Sequence, residues 1–113
     1  MVAVGGDYKT PDNTAGTAAS TVDIGARRAW LASHSMPHGY RSAVAYHEAS
    51  KTWIAVGTNG TDISRDDGRR WQALRPTHGE AADADRNWNA LSLPFVVGPN
   101  GGIGKLVVGD LRR

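Results

Sequence analysis

The chain contains no cysteine, which excludes disulfides, thiolate-ligated metals and a cysteine nucleophile. It also has no run of about 18 apolar residues, the length a helix needs to span a membrane. An excess of one charge is missing too. The 13 Lys and Arg residues face 11 Asp and Glu residues, for a net charge of +2. The basic pairs Arg27-Arg28, Arg69-Arg70 and Arg112-Arg113 stand far apart and form no basic stripe of the kind that binds nucleic acid. No stretch of 11 residues keeps a helical period. The opening residues, Met1 to Asp7, lack the basic start and apolar core of a signal peptide. They read instead as the middle of a strand.

What is present is glycine, at 14 residues, together with four tryptophans. Glycines and scattered aromatics between short apolar runs predict short strands joined by tight turns. One unit recurs. Val2-Ala3-Val4-Gly5-Gly6, Ile54-Ala55-Val56-Gly57-Thr58-Asn59-Gly60 and Val96-Val97-Gly98-Pro99-Asn100-Gly101-Gly102 align on Val4, Val56 and Val97. Those three valines are 52 and 41 residues apart, near the roughly 40 to 50 residues of a four-stranded propeller blade.

The middle copy is the fullest. Ser42 to Tyr46 and Trp53 to Gly57 read as strands, with Asn59-Gly60 predicted to form a two-residue type I′ turn. Thr61 to Ser64 is the third strand and Trp71 to Leu74 the outer one. Between them lies Ser64-Arg-Asp-Asp-Gly-Arg-Arg-Trp71. The side-chain oxygens of Ser64 and Asp66 are placed to bond nearby backbone N–H groups. Gly68 admits a conformation closed to other residues, and Trp71 offers a large ring for packing between sheets. In this reading Asp66 and Asp67 form the turn and are not catalytic carboxylates. In the first copy, Thr21 to Gly25 looks like the start of the same turn, with Trp30 two residues late. The last copy stops at Leu106 to Gly109. Polar loops are expected at Lys9 to Thr14, His34 to Gly39 and Thr77 to Asn87.

The S-x-D-x-G-x-x-W pattern resembles the Asp-box of BNR-repeat β-propellers. With A-V-G-T-N-G-T-D-I-S, G-Y-R-S-A-V-A and N-A-L-S-L-P-F-V-V-G-P-N-G, the chain is most similar to bacterial proteins related to the photosystem II stability/assembly factor. The likeness runs from Met1 to about Leu106. Its one departure in the turn is Arg70, where the family has Thr. The resemblance implies an all-β fold of four-stranded antiparallel propeller blades, about two and a half of them. The divisions expected are 1–38, 39–79 (complete, with the 64–71 turn) and 80–113. It also implies an extracytoplasmic or periplasmic location. Some relatives carry an oxidoreductase or glycosyl-hydrolase label, so a hydrolase or oxidoreductase fragment is the alternative reading.

Candidate chemistry is sparse. Sialidase-type hydrolysis needs an arginine cluster, a Tyr–Glu pair and an acid; Tyr40 and Arg41 are present, but Glu48 and Glu80 are the only glutamates. His34 and His38 are separated by Pro37 and cannot converge as a helical i, i+4 pair. His47-Glu48 has no second histidine, and the Asp62, Asp66, Asp67 spacing does not match a calcium loop. The histidines are expected to be solvated loop residues. Gly98 to Leu106 differs from a phosphate-binding loop at its first glycine and at Leu106. Asn59-Gly60-Thr61 is a formal glycosylation sequon, read here as a turn. The remaining candidate is Tyr40, Arg41 and Ser42 at the start of the innermost strand. There Arg41 would offer a planar fork for a carboxylate or backbone, unless Tyr40 packs and Arg41 pairs with a neighbouring Asp.

The sequence therefore points to a non-enzymatic protein-binding or assembly-scaffold module, with no metal, no cofactor and no nucleic acid. The uncovered faces of an incomplete propeller predict a piece of a longer reading frame or a subunit that self-associates.

Overall fold

The computed structural model describes residues 1–76, 80–81 and 83–106. The described residues are all-β and contain no α-helix. Ten strands form three small antiparallel sheets, none of which closes on itself.

The first sheet contains β1 (Val2–Val4), β2 (Ala18–Ile24) and β3 (Arg27–Ala32), in that order. Ile24 pairs with Arg27, so only Gly25 and Ala26 form the β2–β3 loop. Gly25 takes φ 60°, as the first loop residue of a type II′ hairpin does. This corrects the expectation of a degenerate copy of the serine–aspartate turn at Thr21 to Gly25. The two strands run on to a tight hairpin, which leaves no room for that longer turn.

The second sheet holds β4 (Ala43–His47), β5 (Thr52–Val56), β6 (Thr61–Ser64) and β7 (Gln72–Leu74), paired in chain order. These are the four strands expected of the middle copy, to within about a residue or two at each end. The β5–β6 turn differs from expectation. Val56 pairs with Thr61, so four residues form the loop, and the Gly57 N–H donates to the Gly60 carbonyl at 3.0 Å. Asn59 is not at positive φ, because its side chain is engaged elsewhere.

The third sheet has β9 (Phe95–Val97) at its centre, flanked by β8 (Ala90–Ser92) and β10 (Ile103–Lys105). Here the Asn-Gly turn takes its expected form. Asn100 and Gly101 have φ 60° and 74°, and the Gly102 N–H donates to the Pro99 carbonyl at 3.1 Å. The expected end of the last copy, Val107 to Gly109, lies outside the described residues, as do 77–79 and 82 of the Thr77 to Asn87 loop.

The sheets stack through two apolar clusters. In one, Ala18, Ala55 and Trp71 are buried, with Val2, Val4, Met36, Val44 and Trp53 packed against them. This joins the first sheet to the second. In the other, Ile54, Val56, Ile63 and Leu74 meet Val96, joining the second sheet to the third. Strand alternation produces this division, since successive side chains point to opposite faces. Ile54 and Val56 turn towards the third sheet, while Ala55 between them turns towards the first. Burying each such aliphatic side chain is worth about 1.5–3 kcal/mol.

The repeat is visible in these faces. Val2 and Val4, Ile54 and Val56, and Phe95 and Val97 occupy aligned positions. The first pair packs towards the second sheet and the second pair towards the third. The third pair faces outward and is 49% and 43% exposed.

Candidate functional site

Two polar constellations and one apolar surface stand out. The first constellation gathers around Arg41, between the loop preceding β4 and the start of β6. Arg41 is buried, at 1% exposure. Its Nε and Nη2 donate to Asp62 Oδ2 at 2.9 and 2.6 Å. Its Nη1 donates to the Tyr40 carbonyl at 2.6 Å and to Asn59 Oδ1 at 2.7 Å. Asn59 in turn donates from Nδ2 to Asp12 Oδ1 and to the His38 carbonyl. The guanidinium thus ties the 38–41 and 57–60 loops to β6, and Asn59 extends the network to Asp12.

Asp62, 1% exposed, also accepts from the His38 backbone N–H at 3.0 Å and lies 2.9 Å from His38 Nδ1. Burial pushes the Asp62 carboxyl up, but the His38 hydrogen bond and the Arg41 charge outweigh it and hold the group below its ordinary 3.8. His38 is therefore not the solvated loop histidine the sequence suggested, since Asp62 captures it. Its Nε2 and the carboxylate of Asp85 are buried without a hydrogen-bond partner among the described residues. Both lie beside Gly60, where an added Cβ would sit 2.2 Å from His38 Nε2 and 3.4 Å from Asp85 Oδ2. Only glycine permits that approach.

Of the three candidate contact residues, Tyr40 is half-buried and Arg41 is fully internal. Ser42 is exposed and donates to the Asn89 carbonyl at 2.7 Å, tying β4 to the chain entering β8. Arg41 does not present an open fork to a partner; its donors are spent on Asp62, Asn59 and Tyr40. The sequence showed Arg41 and Asp62 but gave no signal that Asn59 would leave its turn to bind the guanidinium.

The second constellation is the Ser64 to Trp71 turn. The Ser64 hydroxyl accepts from the Gly68 N–H and donates to Asp66 Oδ1, each at 2.9 Å. Asp66 Oδ1 also accepts from the Arg70 N–H at 2.8 Å. Burial raises the Asp66 carboxyl, and the Arg70 and Ser64 hydrogen bonds more than offset that, leaving it lowered. Asp67 and Gly68 have φ 60° and 84°, the left-handed region that a turn of this shape requires. The Trp71 indole N–H donates to the Gly68 carbonyl at 3.1 Å, and Ser33 Oγ, just past the end of β3, donates to the same oxygen. Trp71 is 5% exposed and forms part of the cluster between the first two sheets. Ser64, Gly68 and Trp71 are buried, Asp66 is half-buried, and the hydrogen bonds of all four hold the turn.

The apolar surface is the outer face of the third sheet. Val97 pairs with Ala90 and Ile103, and Phe95 with Ser92 and Lys105. Ile103 is 72% exposed. At the other end, Trp30 on β3 is 51% exposed. Trp30 pairs with Thr21, and Ala3 and Ala32 both pair with Ala19, so these residues share the outer face of the first sheet. Among the described residues no group of three or more His, Asp or Glu is placed to hold a metal ion. No helix there is long and apolar enough to cross a membrane.

No family model, no curated protein and no solved structure matches this chain.

Proposed function

We propose that the chain is an Asp-box propeller-type repeat module that acts as a protein-binding or assembly scaffold, making its contacts through its outer sheet faces. The observation that carries this reading is the reuse of one set of positions. Val2 and Val4, then Ile54 and Val56, cover the next sheet in line, while Phe95 and Val97 expose the same face. Stacking of each unit on its neighbour alone is the logic of repeat proteins. It leaves an apolar contact surface on the last unit. The polar clusters support the reading, because the Arg41 and Ser64 networks are spent on holding loops and turns.

The test compares the wild-type chain with the double variant Phe95→Ser, Ile103→Ser. The wild type is expected to associate or to bind an apolar fluorescent dye such as ANS, and the variant to do neither while keeping its far-UV circular dichroism. A wild-type monomer that binds no dye contradicts the proposal.

A further inference from the structure

We infer that two copies of this chain join head to tail, the outer face of the third sheet of each covering the outer face of the first sheet of the other, to close a ring of six sheets. This rests on the scaffold reading and adds the identity of the partner.

The stacking inside one copy defines the contact. Val4 packs in the cluster that holds Ala55, and Val56 packs in the cluster that holds Val96. Ala3, Ala55 and Val96 are aligned positions, as are Val4, Val56 and Val97. Each valine of the second set therefore meets the following sheet at a position of the first set. Carrying that step forward once more brings Val97 against Ala3 of another copy. Both partners are open: Val97 is 43% exposed, and Ala3 is exposed. Both faces are also of suitable character. Phe95, Val97 and Ile103 are apolar and extend over neighbouring strands, while Ala3, Ala19 and Ala32 are small and Trp30 supplies a large ring at the outer strand. The second sheet presents the same combination to the first, small Ala55 beside buried Trp71.

Ring size selects the number of copies. Propellers close with about four to eight blades. The described residues of one copy form three sheets, so two copies bring six together, within that range. A head-to-tail contact that closes after two copies gives a twofold ring in which both open faces are covered.

The chain has no native cysteine, so introduced thiols are unambiguous. Light scattering of the wild type should give twice the 12.0 kDa chain mass. The Ala3→Cys, Val97→Cys double variant, treated with a short bismaleimide, should run as a covalent dimer under denaturing conditions. Each single variant should remain at the chain mass. A monomeric wild type overturns the inference, as does a dimer in which the double variant fails to cross-link. So does cross-linking of Val97→Cys alone, which would indicate like faces meeting. A monomer that still binds the apolar dye would sink the pairing and leave the scaffold reading standing.

Discussion

Arg41 and Asp62 are the residues on which the loops depend most heavily. Both are buried, and each satisfies the other with two hydrogen bonds. Removing one member of such a pair leaves an uncompensated charge in the interior, at a cost of about 3–5 kcal/mol. Arg41→Ala is expected to lose that much in urea unfolding. The pH dependence follows from the lowered Asp62 carboxyl. A group whose folded value lies below its unfolded value contributes stability above the unfolded value, and that contribution is lost as pH falls through the folded one. The gap in unfolding free energy between wild type and Asp62→Asn should therefore be present at neutral pH and close as pH falls below about 4. A gap that persists undiminished at low pH would show that Asp62 acts through shape and not charge. In the sequence these residues were visible only as types. The sequence permits Arg41 either a partner contact or an internal pair, and the fold sets Asp62 on β6 beside the 38–41 loop, where the two pair.

At the scale of the element, the Ser64 to Trp71 turn links a local signal to long-range packing. The Ser64 and Asp66 hydrogen bonds that shape it lie within eight residues, which is why the S-x-D-x-G-x-x-W pattern makes the turn legible. The consequence is not local, since the turn delivers the Trp71 ring to Val2, Val4 and Ala18 of the first sheet. Trp71→Ala should cost about 3–5 kcal/mol and should loosen the first sheet before the second. Hydrogen exchange at the amides of β1 and β2 would then accelerate more than that of β5 and β6. Equal acceleration in both sheets would argue against a role confined to that interface. The strands were legible for a related reason. Val, Ile and Thr in alternation specify a pleated, half-buried surface, and β4 to β7 appear where the pattern puts them. The turns were less so. Asn59-Gly60 and Asn100-Gly101 carry the same two residues, yet only the second takes positive φ at both. Tertiary demand for the Asn59 amide prevails over intrinsic turn preference, and no local pattern reveals that demand. The turn at Gly25 is hard to identify for the opposite reason. A two-residue hairpin needs little more than one suitable glycine, so its signal is too short to separate from a degenerate longer turn.

For the whole molecule, the proposed scaffold treats the three sheets as successive copies of one unit, stacked by repeating one contact. Alignment of Val4, Val56 and Val97 suggested a repeat, and the alternation of their neighbours explains how it acts. Alternate positions along β1, β5 and β9 serve opposite faces, so the second sheet receives the first and covers the third. This arrangement accounts for the two separate clusters and for the exposure of Phe95, Val97 and Ile103. Solution NMR of methyl and aromatic protons tests it most directly. The account predicts nuclear Overhauser contacts from the Trp71 ring to the Val2 and Val4 methyls, and from Val96 to Ile54 and Val56. No contacts should run between Val4 and Val96 within one chain. Contacts between Val4 and Val96 within one chain, or a Trp71 ring touching neither Val2 nor Val4, would contradict it.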